Sequence, residues 1–164
     1  MSHLARTLPR PLLGCIAVWL LGVSTAKAEM IANGSFESGL TGWTVFSIPI
    51  NTNIHVETAY GPGFDGAAWL FLGGFDTQGY VEQTVTGLTK GTTYALNFLM
   101  ASELARSDTL VVSMTDGSST PSLQFFAPPG FHWNDWVPRE YDFLASGTSA
   151  TFRFSSVADR KSVV

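Results

Sequence analysis

From Thr93 to Met100 the chain alternates strictly. Tyr94, Leu96, Phe98 and Met100 share one face, and Thr93, Ala95 and Asn97 share the other. Thr148 to Ser155 repeats the pattern, with Ala150, Phe152 and Phe154 set against Thr151, Arg153 and Ser155. Val81, Gln83 and Val85 alternate with Tyr80, Glu82 and Thr84, and Leu110, Val112 and Met114 with Val111 and Ser113. A period of two marks a strand with one buried face, because successive side chains leave opposite sides of the backbone. Further strands are predicted over 30–37, 43–48, 54–59, 67–73, 123–127 and 136–144. Turn signals separate them, including Gly61-Pro62-Gly63, Lys90-Gly91, Asp116-Gly117, Pro128-Pro129-Gly130 and Ser146-Gly147. About ten short strands, with only a single helical turn conceivable at 102–106, predict an all-β sandwich or barrel. No internal repeat or low-complexity linker interrupts them.

The chain has 164 residues, enough for one domain. Residues 1–28 stand apart. Arg6 and Arg10 precede a short apolar run, Leu12 to Val23, and Ala26-Lys27-Ala28 is a small-x-small cleavage site. This is the pattern of a secretory signal peptide. The run is shorter than the roughly 20 apolar residues a membrane span needs, which argues against an anchor. Leu12-Leu13-Gly14-Cys15 superficially resembles a lipoprotein box, but here the apolar run follows the cysteine. Cys15 is the only cysteine and is expected to leave with the leader, so the mature domain carries no disulfide. Processing also removes Arg6, Arg10 and Lys27. Six basic residues then face 13 acidic ones, a net charge of −7. That balance disfavours nucleic acid and anionic lipid as partners. Neutral glycans or Ca²⁺ suit it better, and the mature chain is not expected to insert into a membrane.

The last six residues, Asp159-Arg160-Lys161-Ser162-Val163-Val164, follow no packing or turn rule. They match the translation of a common short-read sequencing adapter, gat cgg aag agc gtc gtg. The expectation is a jelly-roll domain over 29–158 and a non-native tail over 159–164; the alternative is a genuine polar tail. Resequencing decides between them, since an open frame running past Ala158 without those codons supports truncation.

Several motifs form a set: Asn33-Gly34-Ser35-Phe36-Glu37 followed by Gly42-Trp43; Gly79 to Val85; Gly91 to Phe98; Trp136; Tyr141 to Ala145; and Ala150 to Phe154. The set resembles the galactose-binding-like jelly rolls of carbohydrate-binding-module type. It is also similar to bacterial secreted choice-of-anchor domains, which carry a C-terminal sorting tail. The resemblance covers roughly residues 30–158. It implies a jelly-roll β-sandwich that stops before a last strand bearing an Asp. It also implies a structural Ca²⁺ at Ser35 and Glu37, two positions that the strand reading of 30–37 places on one face. Calcium takes six to eight oxygens, so backbone carbonyls would supply several. Asn33-Gly34-Ser35 also fits a glycosylation sequon, and Asn33-Gly34 a hairpin turn.

Two loops carry the chemistry a sugar site needs, rings for flat C–H faces and amides or carboxylates for hydroxyls. One is Phe131-His132-Trp133-Asn134-Asp135-Trp136, after a Pro-Pro-Gly break; the other is Tyr60 to Gly66, with Phe64 and Asp65. Trp133, Asn134, Asp135, Tyr60 and Phe64 are the candidate ligand-binding residues. Trp43, Trp69 and Trp136 are expected to fill the core. His55 and Glu57 share a strand face, but without cysteines or a third histidine zinc is disfavoured. No Gly-x-Ser-x-Gly elbow, His-Glu-x-x-His or phosphate loop is present. The reading is a secreted, non-catalytic, carbohydrate-binding β-sandwich acting on extracellular or envelope glycans. The alternative is a structural or adhesive surface domain held by a missing C-terminal tail; a polysaccharide-active enzyme is a distant third.

Overall fold

A computed structural model of the chain describes residues 19–22, 30–48, 54–59, 66–72, 78–101, 109–117, 119–126 and 135–157. The conceivable helical turn at 102–106 and the tail over 159–164 lie outside them. The described strands are β1 (Trp19–Gly22), β2 (Thr44–Ile48), β3 (Ile54–Glu57), β4 (Trp69–Leu72), β5 (Gln78–Thr86), β6 (Thr93–Met100), β7 (Thr109–Thr115), β8 (Ser122–Phe126), β9 (Val137–Leu144) and β10 (Ser149–Val157).

All pairings are antiparallel. A five-stranded sheet has the order β2-β5-β10-β7-β8, a three-stranded sheet the order β1-β6-β9, and β3 and β4 form a hairpin. β10 is the axis of the larger sheet, with Phe152 opposite Gln83 on β5 and Met114 on β7. The alternation read from the sequence is the alternation of burial. Val81, Val85, Val112, Met114, Ala150, Phe152 and Phe154 turn inward from the large sheet, and Tyr94, Leu96, Phe98, Tyr141 and Phe143 from the small one. The layers interlock through edge-to-face rings, Phe98 with Phe154 at 5.5 Å and Phe143 with Phe152 at 5.1 Å between centroids. This is the favoured geometry for aromatic pairs, because a ring's electron-rich face meets a partner's positive edge.

Two expectations are corrected. Residues 30–37 do not form a strand. Asn33 and Phe36 have φ of 51° and 60°, left-handed values that an extended strand cannot contain. The segment runs instead as successive turns, closed by Phe36 N to Asn33 O at 3.2 Å, Gly39 N to Phe36 O at 2.9 Å and Trp43 N to Leu40 O at 3.0 Å. Nor is Asn33-Gly34 a two-residue hairpin, since the first strand after it is β2. The predicted leader also contributes a described segment. Trp19–Gly22 lies beside β6, with Trp19 opposite Asn97 and Gly22 opposite Tyr94. The tenth described strand is therefore β1 and not 30–37.

Two turns at one end of the sandwich are tied together by Asp116, one of two buried polar side chains among the described residues. Its Oδ2 accepts a hydrogen bond from Ser146 N, and its backbone bridges Ser119. The β7–β8 connection is thereby fixed to the β9–β10 turn.

Core and margin should respond differently to truncation. Phe152 is fully buried, so Phe152→Ala is expected to cost about 3–5 kcal/mol through lost transfer energy and a cavity. Phe126 is 56% exposed, and Phe126→Ala should stay within about 0.5 kcal/mol. Urea unfolding followed by tryptophan fluorescence measures both.

Candidate functional site

The turns of residues 31–43 form a rigid clasp on the end of the large sheet. Phe36 is buried and stacks on Trp43 at 5.2 Å, and Trp43 meets the Phe154 ring edge-on at 6.0 Å. The Trp43 indole N–H donates to Asn33 O at 3.1 Å. The Asn33 amide is fully engaged: Nδ2 donates to Gly39 O and Thr41 O at 2.9 and 3.0 Å, while Oδ1 accepts from Ser38 N at 3.1 Å. Glycosylation at Asn33 would replace one of the two Nδ2 hydrogens and so break at least one of these bonds, which weighs against the sequon. Gln83, buried on β5, spans the same clasp: its Oε1 accepts from Ala32 N at 2.7 Å, and its Nε2 donates to Ala32 O and Gly42 O at 2.9 and 3.0 Å.

From the clasp, Glu37 reaches across to the second predicted loop. Its Oε1 accepts from Ala67 N at 2.9 Å and Ala68 N at 2.8 Å. Gly66, at φ 140°, lies directly beneath, where an added Cβ would stand 2.2 Å from that same oxygen. The strand argument for Ser35 and Glu37 as a shared metal face does not hold, since both lie on turns. Among the described residues no three His, Cys, Asp or Glu side chains are grouped to hold an ion.

The β3–β4 hairpin turns one face to the core and the other outward. Ile54, Val56, Leu70 and Leu72 pack inward, while the register sets His55 opposite Phe71 and Glu57 opposite Trp69 on the outer face. There the His55 and Phe71 rings stack at 5.1 Å, Trp69 tilts against Phe71 at 6.1 Å, and Trp136, arriving at the start of β9, meets Trp69 edge-on at 6.0 Å. Glu57 Oε1 accepts from Thr58 N at 2.8 Å and Ala59 N at 2.6 Å, and Oε2 lies 3.6 Å from His55 Nε2. The Ala59 N–H chiefly, aided by Thr58 and His55 against some desolvation, holds the Glu57 carboxyl below its ordinary pKa. It therefore stays an anionic acceptor in neutral and mildly acid solution.

Of the sequence-predicted ligand residues, Asp135 is described and exposed, adjoining Trp136. Trp133, Asn134, Tyr60 and Phe64 lie outside the described residues. The ends of their two loops are described, however. Gly66 to Trp69 closes one and Asp135–Trp136 closes the other, and the Trp69–Trp136 contact brings these ends together. Trp43 is buried in the core and Trp136 half-buried against it, as expected; Trp69 is buried too, but beneath Phe71 and Trp136 on the hairpin's outer face and not in the core cluster, because its register on β4 sets it on the side opposite Leu70. Sequence reasoning missed Phe71 and the service of His55 and Glu57 on an aromatic face. The signal that could have found them is the pairing of 54–57 with 69–72, which sets the two alternations in register.

No family model and no curated protein matches the chain. Solved structures do match. A family 61 carbohydrate-binding module in complex with β-1,4-galactotriose is similar over 77% of this chain and 86% of its own, with a TM-score of 0.61 and 18% identity. A family 35 carbohydrate-binding module from Clostridium thermocellum matches over 71% of this chain and 81% of its own, with a TM-score of 0.53 and 19% identity. The enzymatically active domain of bacteriophage CBA120 tailspike protein 4 matches over 79% of this chain but 19% of its own, with a TM-score of 0.56 and 13% identity. The likeness shows the fold, an all-β jelly-roll sandwich of the kind these carbohydrate-binding modules also have.

The junction of clasp and loop makes a specific demand. Gly66→Ala should lower stability by about 1–3 kcal/mol, from backbone strain and displacement of Glu37. In a Glu37→Ala background the same change should cost less, because the clash partner is gone. A double-mutant cycle on thermal melts measures the coupling.

Proposed function

We propose that this is a secreted, non-catalytic carbohydrate-binding domain that recognises extracellular or envelope glycans at the outer face of the β3–β4 hairpin and the two loops beside it. Trp133, Tyr60 and Phe64 would offer rings to sugar C–H faces, and Asn134 and Asp135 would meet hydroxyls. The observation that carries this reading is the Trp69–Trp136 contact. It brings the ends of the two ring-bearing loops together next to the exposed face of His55 and Phe71. The similar folds that are carbohydrate-binding modules, one of them holding β-1,4-galactotriose, support the ligand class. Among the described residues no helix is long and apolar enough to cross a membrane.

Binding of this kind rests on ring stacking plus a few hydrogen bonds, so single contacts are weak and multivalent presentation raises retention. On a glycan array the protein should bind a subset of neutral glycans, and Trp133→Ala should reduce that signal about tenfold or more. No binding, or binding indifferent to the substitution, would overturn the site.

Calcium belongs to the same proposal as a stabilising ion held by Ser35, Glu37 and backbone carbonyls. Gln at position 37 keeps an oxygen that can accept from Ala67 and Ala68 N but loses the charge a hard cation needs. Added calcium should therefore raise the melting temperature of the wild type over its EDTA-treated form, and Glu37→Gln should abolish that rise. Equal melting with and without calcium in the wild type would rule the ion out.

A further inference from the structure

The outer face of the five-stranded sheet carries a second array. Following the register across all five strands, one row reads Phe46, Tyr80, Ser155, Val111, Gln124. The next reads Thr44, Glu82, Arg153, Ser113, Ser122. At the head of the first row the Phe46 and Tyr80 rings stack at 5.1 Å and 19°, with Phe46 45% exposed. The Arg153 guanidinium carbon lies 3.8 Å from the Tyr80 ring centroid. Arg153 is also pinned by Glu82: Nε donates to Oε2 at 2.8 Å, and Nη2 lies 2.7 Å from the same oxygen in an ion pair. Beyond them Thr84 and Thr151 share a hydrogen bond at 2.8 Å between hydroxyls.

Three physical facts about this face point the same way. It is electrically neutral: the two charges in these rows cancel each other, in a chain whose expected mature form carries a net −7. Its long cation is ordered in advance, although an exposed ion pair contributes only about 0–1 kcal/mol to stability. Its polar groups are hydroxyls, an amide and one fixed guanidinium–carboxylate unit, arranged beside an exposed ring. A polyanion would meet Glu82 here and a nucleic acid would find no net positive charge, whereas a neutral polyol finds donors, acceptors and a stacking surface.

We propose that this sheet face is a second glycan-binding surface that takes a neutral oligosaccharide lying across the strands, with Phe46 as its stacking anchor and the Arg153–Glu82 pair as its hydroxyl reader. Five strands spaced about 4.8 Å apart span about 19 Å, the length of a short oligosaccharide rather than a monosaccharide. The proposal rests on the carbohydrate-binding reading but not on the loop site. A chain long enough to touch both surfaces would gain avidity from two weak contacts.

The test is affinity electrophoresis of the secreted protein through gels containing β-1,4-galactan, dextran, xylan or mixed-linkage β-glucan, with polygalacturonate as the anionic control. Wild-type protein should be retarded by at least one neutral polymer and not preferentially by polygalacturonate. On that polymer Phe46→Leu should weaken binding about tenfold with an unchanged melt, Phe46→Tyr should retain it, and Arg153→Gln should weaken it. If Phe46→Leu and Arg153→Gln bind like wild type while Trp133→Ala does not, the sheet-face proposal fails and the loop reading stands. Stronger retardation by polygalacturonate also overturns it. If wild type is retarded by no polymer, both readings fall together.

Discussion

Phe154 is the contact on which the sandwich and its clasp both depend. From the central strand of the large sheet it meets Phe98 of the small sheet and Trp43 of the clasp, each edge to face. With the only cysteine in the predicted leader, no disulfide is available to take over this work in a processed chain. Phe143 with Phe152 makes a second contact between the layers and Gln83 a second tie to the clasp, but Phe154 is the ring that touches both partners at once. Because Trp43 in turn carries Phe36, and Phe36 precedes Glu37, the packing of β10 bears on the position of a carboxylate far away in sequence. Local order at the front of the domain is a consequence of burial near its end.

The strands were legible because each has one buried and one exposed face, which writes the period of two into the residue types. Thr93–Met100 is a case where the pattern gave the observed boundaries without adjustment. Residues 30–37 were misread for a physical reason. Ile31 and Phe36 are buried there, as strand residues would be, but their burial comes from turns built on two left-handed residues that are not glycines. Nothing in the identity of Phe36 announces a positive φ. It is imposed by the stacking against Trp43 and the bonds made by Asn33 and Gln83, which are tertiary. Gln83 shows the same limit: its alternation was plain, yet its partners are the backbones of Ala32 and Gly42.

The candidate surfaces divide along the same line. Aromatic loops can be proposed from composition, as those around Tyr60 and Trp133 are. A face assembled from cross-strand neighbours cannot, because it exists only once register is known. His55 beside Phe71, and Phe46 beside Tyr80 and Arg153, are pairs of this kind. In both, one side chain seemed unremarkable in its own strand. Val45 and Leu123, 38% and 47% exposed on the two edge strands of the large sheet, show the complementary effect. Their register matches them to buried Val81 and Val112, yet the opposing layer is too narrow to cover them.

Glu37 and Gly66 have a consequence for how such a domain can diversify. The exit of the loop that precedes Gly66 is docked through backbone groups, with the N–H of Ala67 and Ala68 on a carboxylate borrowed from the clasp. Every missense change in the Gly66 codon adds a Cβ at a φ of 140° and 2.2 Å from the carboxylate oxygen, so this position resists drift. The arrangement is that of a cassette on a fixed post. Segments of different sequence could be exchanged upstream of Gly66, in evolution or by grafting, and the hairpin behind them would keep its seat.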